Sequence, residues 1–350
     1  MRGRRRPRGA LALLGLALLV TGCGLGTRED RRRAQEIADE RHPGLLRVVG
    51  ARTLFPRTSG SEVSLSVADD PDAVVRLRID ADSGVCGGAP CDRALDVALE
   101  DARAAARDLR LLRAALRECG HTPRAVRAYR SSVGEPWIEA RLTNDNVTGV
   151  LERLGECLRG WASAYSPADG AAPSRQRAVT VHIAAPGTAP DAPENAAGRG
   201  PTLVRLTERG VHAALATRPS YAVTWTYRNG VLDAGSGAVR LVRPFRERRA
   251  FERAVGDHTA AWLAPRHPGA HQLRPHGVVR LVPGRVDRLW GHVLFCDRSH
   301  PEERGRAGAA RCRGDHAVRV TTDLDGSLVG EPRVIRDVRE GNGPLRLPPE

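Results

Sequence analysis

The stretch "YAVTWTYRNG" (residues 221–230) decides the fold class. Tyr221, Val223, Trp225 and Tyr227 alternate with small or polar neighbours, the two-residue period of a strand with one buried face. Asn229-Gly230 then supplies the residues that a two-residue hairpin turn requires. Two more hairpins follow: "VVRLVPGRVDRLWGHVLFC" (278–296), turned at Pro283-Gly284, and "AVRVTTDLDGSLVGEPRVI" (317–335), turned near Asp325-Gly326. Between them and the first strand lies a helical stretch at 245–263 with Phe251, Val255, His258 and Trp262 on one side. Residues 202–340 therefore read as a strand-rich α+β domain, and 341–350, "GNGPLRLPPE", as a disordered or loosely docked tail.

Upstream, "PGTAPDAPENAAGRGP" (186–201) has four prolines and no apolar residue larger than alanine, which reads as a linker or long loop. Before it, residues 29–185 predict a second α+β domain. Thr27 with Asp30 resembles a capping box, and Ala34, Ile37 and Ala38 give a narrow apolar stripe that ends at His42-Pro43-Gly44. Three strand-like segments come next, at 45–55, 61–68 and 73–80. The clearest helix is 92–118, where Leu95, Leu99, Ala102, Ala106, Leu109, Leu112 and Leu116 recur at three- and four-residue steps, with Asp92 as the expected N-cap. Strands at 124–130, 136–142 and 177–185 and a helix at 146–161 complete the domain. Helices packed on mostly antiparallel sheet, twice over, is the expected architecture.

The N-terminus carries an export signal. "MRGRRRPRG" holds five arginines and no acid, and "ALALLGLALLV" (10–20) is an apolar run too short to span a bilayer. Val20-Thr21-Gly22-Cys23 resembles the bacterial lipobox, in which the cysteine sulfur receives a diacylglycerol and cleavage leaves that cysteine first. Residues 1–22 are then a cleaved leader, Cys23 is the lipid anchor and 23–28 a short tether. The expected location is the extracytoplasmic face of the cell membrane. Lipidation also resolves the odd count of seven cysteines, because it leaves six: Cys86, Cys91, Cys119, Cys157, Cys296 and Cys312. An even set in an exported chain reads as disulfides. Many connectivities are open. Sequential pairing is expected: Cys86–Cys91 across "GGAP", Cys119–Cys157 between two helix ends, and Cys296–Cys312 across a loop rich in Arg, Gly and Glu. Zinc or redox chemistry is disfavoured because no C-x-x-C pair occurs.

Every basic residue is arginine. The absence of lysine excludes a P-loop, an S-x-x-K acyl enzyme and Schiff-base chemistry. The formal charge is +14, and its excess is uneven: residues 240–319 hold 17 arginines against 8 acids. Outside a cell such a surface meets anionic lipid or wall polymer rather than nucleic acid.

No catalytic motif stands out. His267, His271 and His276 crowd into "RHPGAHQLRPH", which reads as a loop rather than a ligand-bearing helix face. "DLDGS" (323–327) lacks the ligand spacing of a calcium loop and reads as a turn. "AGSGA" (234–238) is not a nucleophile elbow. The tryptophans at 137, 161, 225, 262 and 290 read as core, with an aromatic sugar platform at Trp225, Tyr221 and Tyr227 as the alternative for that strand. These observations point to a lipoprotein that acts by binding, without a cofactor or metal. Its partners are the membrane through Cys23 and an anionic envelope polymer or an envelope protein. The alternatives are an envelope hydrolase using histidines and acids of the second domain, or an electrostatic tether.

Two resemblances accompany this reading. The short helix with A-x-x-x-A at Ala34 and Ala38, then "HPG", a strand meander and "V-x-L-x-I-D-A-D-S-G" ending at Gly84, resembles the PepSY-type module over residues 28–85. The resemblance implies a small extracytoplasmic domain that modulates peptidases or other partners and is not itself an enzyme. As a whole, the leader, the arginine usage and the cysteines are similar to those of an actinobacterial lipoprotein.

Overall fold

The computed structural model describes residues 27–54, 60–80, 84–164, 176–189, 201–233, 237–297, 314–339 and 343–348. The fold is α+β. The described residues group into two compact units. Those within 1–113, 125–134 and 192–208 form the first, and those within 114–124, 135–191 and 209–350 the second.

The first unit opens with helix α1 (27–41) and a three-stranded antiparallel meander, β1 (Leu46–Thr53), β2 (Ser61–Val67) and β3 (Asp70–Ile79). Val63, Leu65 and Val67 alternate inward as their period requires, and pair across the sheet with Leu77, Val75 and Asp70. The buried stripe of α1, Ala34, Ile37 and Ala38, packs on this face. So do Leu95, Leu99, Ala102 and Ala106 of α2 (Cys91–Glu118). Asp96 on α2 ties the end of α1 down: Arg41 Nη2 donates to Asp96 Oδ2 at 2.8 Å, and His42 Nε2 meets Oδ1 at 2.9 Å. Short strand β4 (Ala125–Ala128) and the five-residue helix α4 (Thr202–Leu206) complete this unit. The Cys86–Cys91 disulfide closes the loop that leads into α2. Gly87 and Gly88 turn that loop at φ 60° and 87°, where a side chain would strain the backbone.

The second unit is built on a long sheet. Its elements are β5 (Val133–Glu139), α3 (Val147–Ser163), β6 (Gln176–Ala184), α5 (Arg209–Leu215), β7 (Ser220–Arg228), β8 (Val231–Leu232), β9 (Ala238–Val242), α6 (Phe245–Leu263), β10 (His271–Leu281), β11 (Leu289–Cys296), β12 (His316–Thr322) and β13 (Arg333–Ile335). The strands lie in the order β13-β12-β11-β10-β9-β7-β6-β5. β5 and β6 pair in parallel, and the pairs from β6 through to β13 are antiparallel. One face is covered by helices. Phe251, Val255 and Leu263 of α6 pack with Leu289, Val293 and Phe295 of β11 and with Val318 and Val320 of β12. Under α3 the Tyr227 hydroxyl donates to the Gly155 carbonyl at 2.7 Å. Gly155 admits the Trp225 ring so closely that a Cβ there would stand 3.0 Å from its Nε1. Cys119, just past the end of α2, is disulfide-bonded to Cys157 on α3.

Several expectations need correction. Asp92 lies in the first turn of α2 and not at its cap, because the helix already begins at Cys91. "RHPGAHQLRPH" is not all loop: from His271 onward it is strand β10, paired with β11. Pro275 is accommodated because register shifts flank it, between His271 and Arg274 and between His276 and Arg280. Helices α4 and α5 were not foreseen. At five and seven residues they are too short for a 3.6-residue period to show. In the tail, Leu345 and Leu347 pack against Leu294, Ala317 and Val338, so this part is docked rather than loose. The compact units also divide the chain differently from the expected boundary at 186–201. β6, upstream of it, is hydrogen-bonded along its length to β7, downstream of it. Residues 190–200 of the linker lie outside the described residues.

Candidate anion-binding site

The face of the second sheet opposite α6 carries a row of arginines and histidines. Residues directly paired across neighbouring strands share a face. The register aligns His276 on β10 with His292 on β11, His292 with Arg319 on β12, and Arg319 with Arg333 on β13. The adjacent row aligns Arg240 on β9, Arg280 on β10 and Trp290 on β11. Like charges in directly opposed positions destabilise a sheet. This face nevertheless sets Arg240 directly opposite Arg280 and Arg319 directly opposite Arg333.

A cavity of about 350 Å³ opens among Trp290, His292, Arg319, Arg333, Val334, Ile335, Arg336 and Pro348. Trp290 and His292 form its floor at 8% and 7% exposure. The Arg280 guanidinium lies 5.4 Å and that of Arg319 5.0 Å from the Trp290 ring centroid, so cation–π attraction holds both cations at the indole. His292 meets the same ring edge-on at 6.0 Å. Among the described residues no acid lines the cavity. Among the described residues no carboxylate forms an ion pair with Arg319, Arg333 or Arg336. The His292 imidazole is held below its ordinary pKa by burial first, then by Arg319, His276 and Arg280. The site is thus a concave, partly apolar surface lined by guanidinium and imidazole donors and no acceptor charge, which suits an anion.

A second concavity, of about 760 Å³, lies within the first unit between β3 and the first half of α2. Its two acids are already paired, Glu62 with Arg52 at 2.9 Å and Asp101 with Arg130 at 2.6 Å. The alanine row Ala94, Ala98, Ala102 and Ala105 of α2 lines the concavity on one side.

The expected site residues fall as follows. Cys23 and Cys312 lie outside the described residues. Cys86–Cys91 and Cys119–Cys157 are bonded as expected, and Cys296 is in a disulfide. The sugar platform at Trp225, Tyr221 and Tyr227 is overturned. Trp225 and Tyr227 are 3% and 1% exposed beneath α3, and burial raises the Tyr227 phenol pKa. His271 and His276 sit on β10. Among the described residues no group of three His, Cys, Asp or Glu could hold a metal. Arg319, Arg333, Arg336 and His292 were missed as a set. The signal was present in "LWGHVLFC" and "AVRVTT", whose alternation puts Trp290, His292 and Arg319 on matching faces once the strands are in register.

Three buried or half-buried histidines are expected to shape the acid response. His182, stacked on Trp137 at 4.5 Å with its Nδ1 unpartnered, is lowered by burial and by His212, against Glu135. His121 is lowered by burial and Arg153, against a backbone hydrogen bond at Glu139. With His292, these three groups bind fewer protons folded than unfolded below the ordinary histidine pKa of about 6.5. Stability is therefore full above that pH and falls as pH drops through it. Calorimetry is expected to show Tm declining from about pH 7 to about pH 5, before carboxylates protonate, and His182→Gln is expected to flatten the decline. A Tm constant over that range would contradict these burial assignments.

No family model, no curated protein and no solved structure matches the chain.

Proposed function

We propose that the protein is a lipid-anchored lipoprotein on the extracytoplasmic face of the cell membrane. It acts by binding, with the arginine-rich face of its second unit holding an anionic envelope component close to the bilayer. The observation that carries the reading is the sequence "LLVTGCG" (18–24), a cysteine placed where a lipobox puts it, behind a basic and then an apolar segment. The disulfides support it, since bonded cysteine pairs belong to oxidising compartments. Among the described residues no helix is long and apolar enough to cross a membrane. Residues 28–85, with Ala34 and Ala38, His42-Pro43-Gly44 and the segment ending at Gly84, resemble the PepSY-type module in sequence. On that resemblance the first unit engages an envelope protein.

The binding role is supported by the lining of the cavity, where among the described residues His292 has Arg319, Arg280 and His276 for neighbours. Radiolabelled palmitate is expected to enter the wild-type protein and not Cys23→Ala, with the variant released from the membrane fraction. Equal labelling of both would refute the anchor.

A further inference from the structure

We propose that the cavity between β11, β12 and β13 is a phosphoester site: Arg319, Arg333 and Arg336 hold the phosphate oxygens, His292 donates from the floor and Trp290 packs against the polyol or glycerol body. The inference deepens the binding reading above and rests on it for its setting. Its test needs no lipid anchor, so the two fail separately.

The argument starts from cost. Arg319 and Arg333 occupy directly paired positions on neighbouring strands, and His292 pairs with Arg319. A sheet gains nothing from opposing like charges there unless an anion is brought between them. Among the described residues no acid of the lining relieves the repulsion. Three guanidiniums in one concavity exceed what a single carboxylate can satisfy. A phosphate group has the oxygens and the charge to accept from several forks at once. The remaining walls, Trp290, Val334, Ile335 and Pro348, are apolar. A cavity of about 350 Å³ holds a phosphate together with a small carbon skeleton and excludes a folded partner. The same group is presented by a free polyol phosphate and by an anionic lipid headgroup.

The test is calorimetric titration of the oxidised chain from residue 24 onward with inorganic phosphate and with glycerol 3-phosphate. In parallel, co-sedimentation is measured with phosphatidylcholine vesicles with and without phosphatidylglycerol. Arg333 is exposed and has no ion pair among the described residues, so Arg333→Gln leaves the fold intact. It is expected to weaken glycerol 3-phosphate binding about tenfold, the loss of one charge-assisted contact. Arg253→Gln on α6 removes the same formal charge away from the cavity and is expected to leave affinity unchanged. Equal weakening by both variants, or no binding of either free anion at low salt, would overturn the proposal. Binding to phosphatidylglycerol vesicles alone, with no affinity for the free ester, would overturn it too, because that is diffuse surface attraction. Where the free ester binds, loss of vesicle binding in Arg333→Gln identifies the headgroup as the source. Vesicle binding that is absent or insensitive to Arg333 identifies a soluble or polymer phosphoester.

Discussion

Replacing Cys119 and Cys157 together by serine is expected to destabilise the second unit by about 4 kcal/mol. The magnitude follows from the length of chain the bond closes. The two cysteines are 38 residues apart, and the entropy an unfolded chain regains when a loop of that size is opened scales with the logarithm of its length. The bond joins the residue after α2 to the middle of α3, the helix that covers Trp225 and Tyr227. Its loss therefore frees a core element and not a surface loop. Cys86 and Cys91 are 5 apart, and the same reasoning assigns their bond only about 2 kcal/mol. Denaturant unfolding of the oxidised wild type and the two double variants separates the cases. An equal loss in both would contradict the entropic account.

Gly291→Ala is expected to cost about 3 kcal/mol, near the upper end for overpacking a core. Gly291 sits in the middle of β11, where every residue is buried. The register passes from Trp290 opposite Arg280 to His292 opposite His276, so three residues of β10 bulge against one of β11. That bulge pushes backbone onto Gly291. A Cβ there would lie 2.5 Å from the Val278 nitrogen and Cα and 2.6 Å from the Gly277 oxygen, and none of these atoms can rotate away. Gly256, within α6, offers the opposite case. Its Cβ position meets nothing within 4 Å, and Gly256→Ala is expected to stabilise by about 0.5–1 kcal/mol through helix propensity alone. Thermal melts of the two variants should move in opposite directions. Gly291→Ala melting like the wild type would contradict the close approach of β10 and β11.

The elements most legible in the sequence are those whose pattern is long or whose turn is chemically marked. α6 occupies 245–263 as the sequence indicates, but its buried stripe is Phe251, Val255, Thr259 and Leu263, with His258 exposed and Trp262 half-buried rather than on that stripe. α2 begins one residue before the expected start, because its leucines and alanines repeat without interruption. β7 and β8 meet at Asn229-Gly230, where φ values of 53° and 77° are those that asparagine and glycine accept. What stays illegible is non-local. β6 and β7 pair although an alanine- and proline-rich stretch separates them, and no local pattern records that partnership. β11 reads as apolar on both sides, so Trp290 passes for core, although it forms the floor of a cavity. The cationic row exists only in the register of four strands. Arg319 looks like an ordinary surface residue until Arg333 and His292 are set beside it.

Mass spectrometry of the protein extracted from its native membrane tests the proposed anchorage most directly. The expected product begins at Cys23, lacks residues 1–22 and carries a thioether-linked diacylglycerol on that sulfur. A chain that retains residues 1–22 and a free Cys23 thiol would contradict it, and with it the proposed place of the arginine face beside the bilayer.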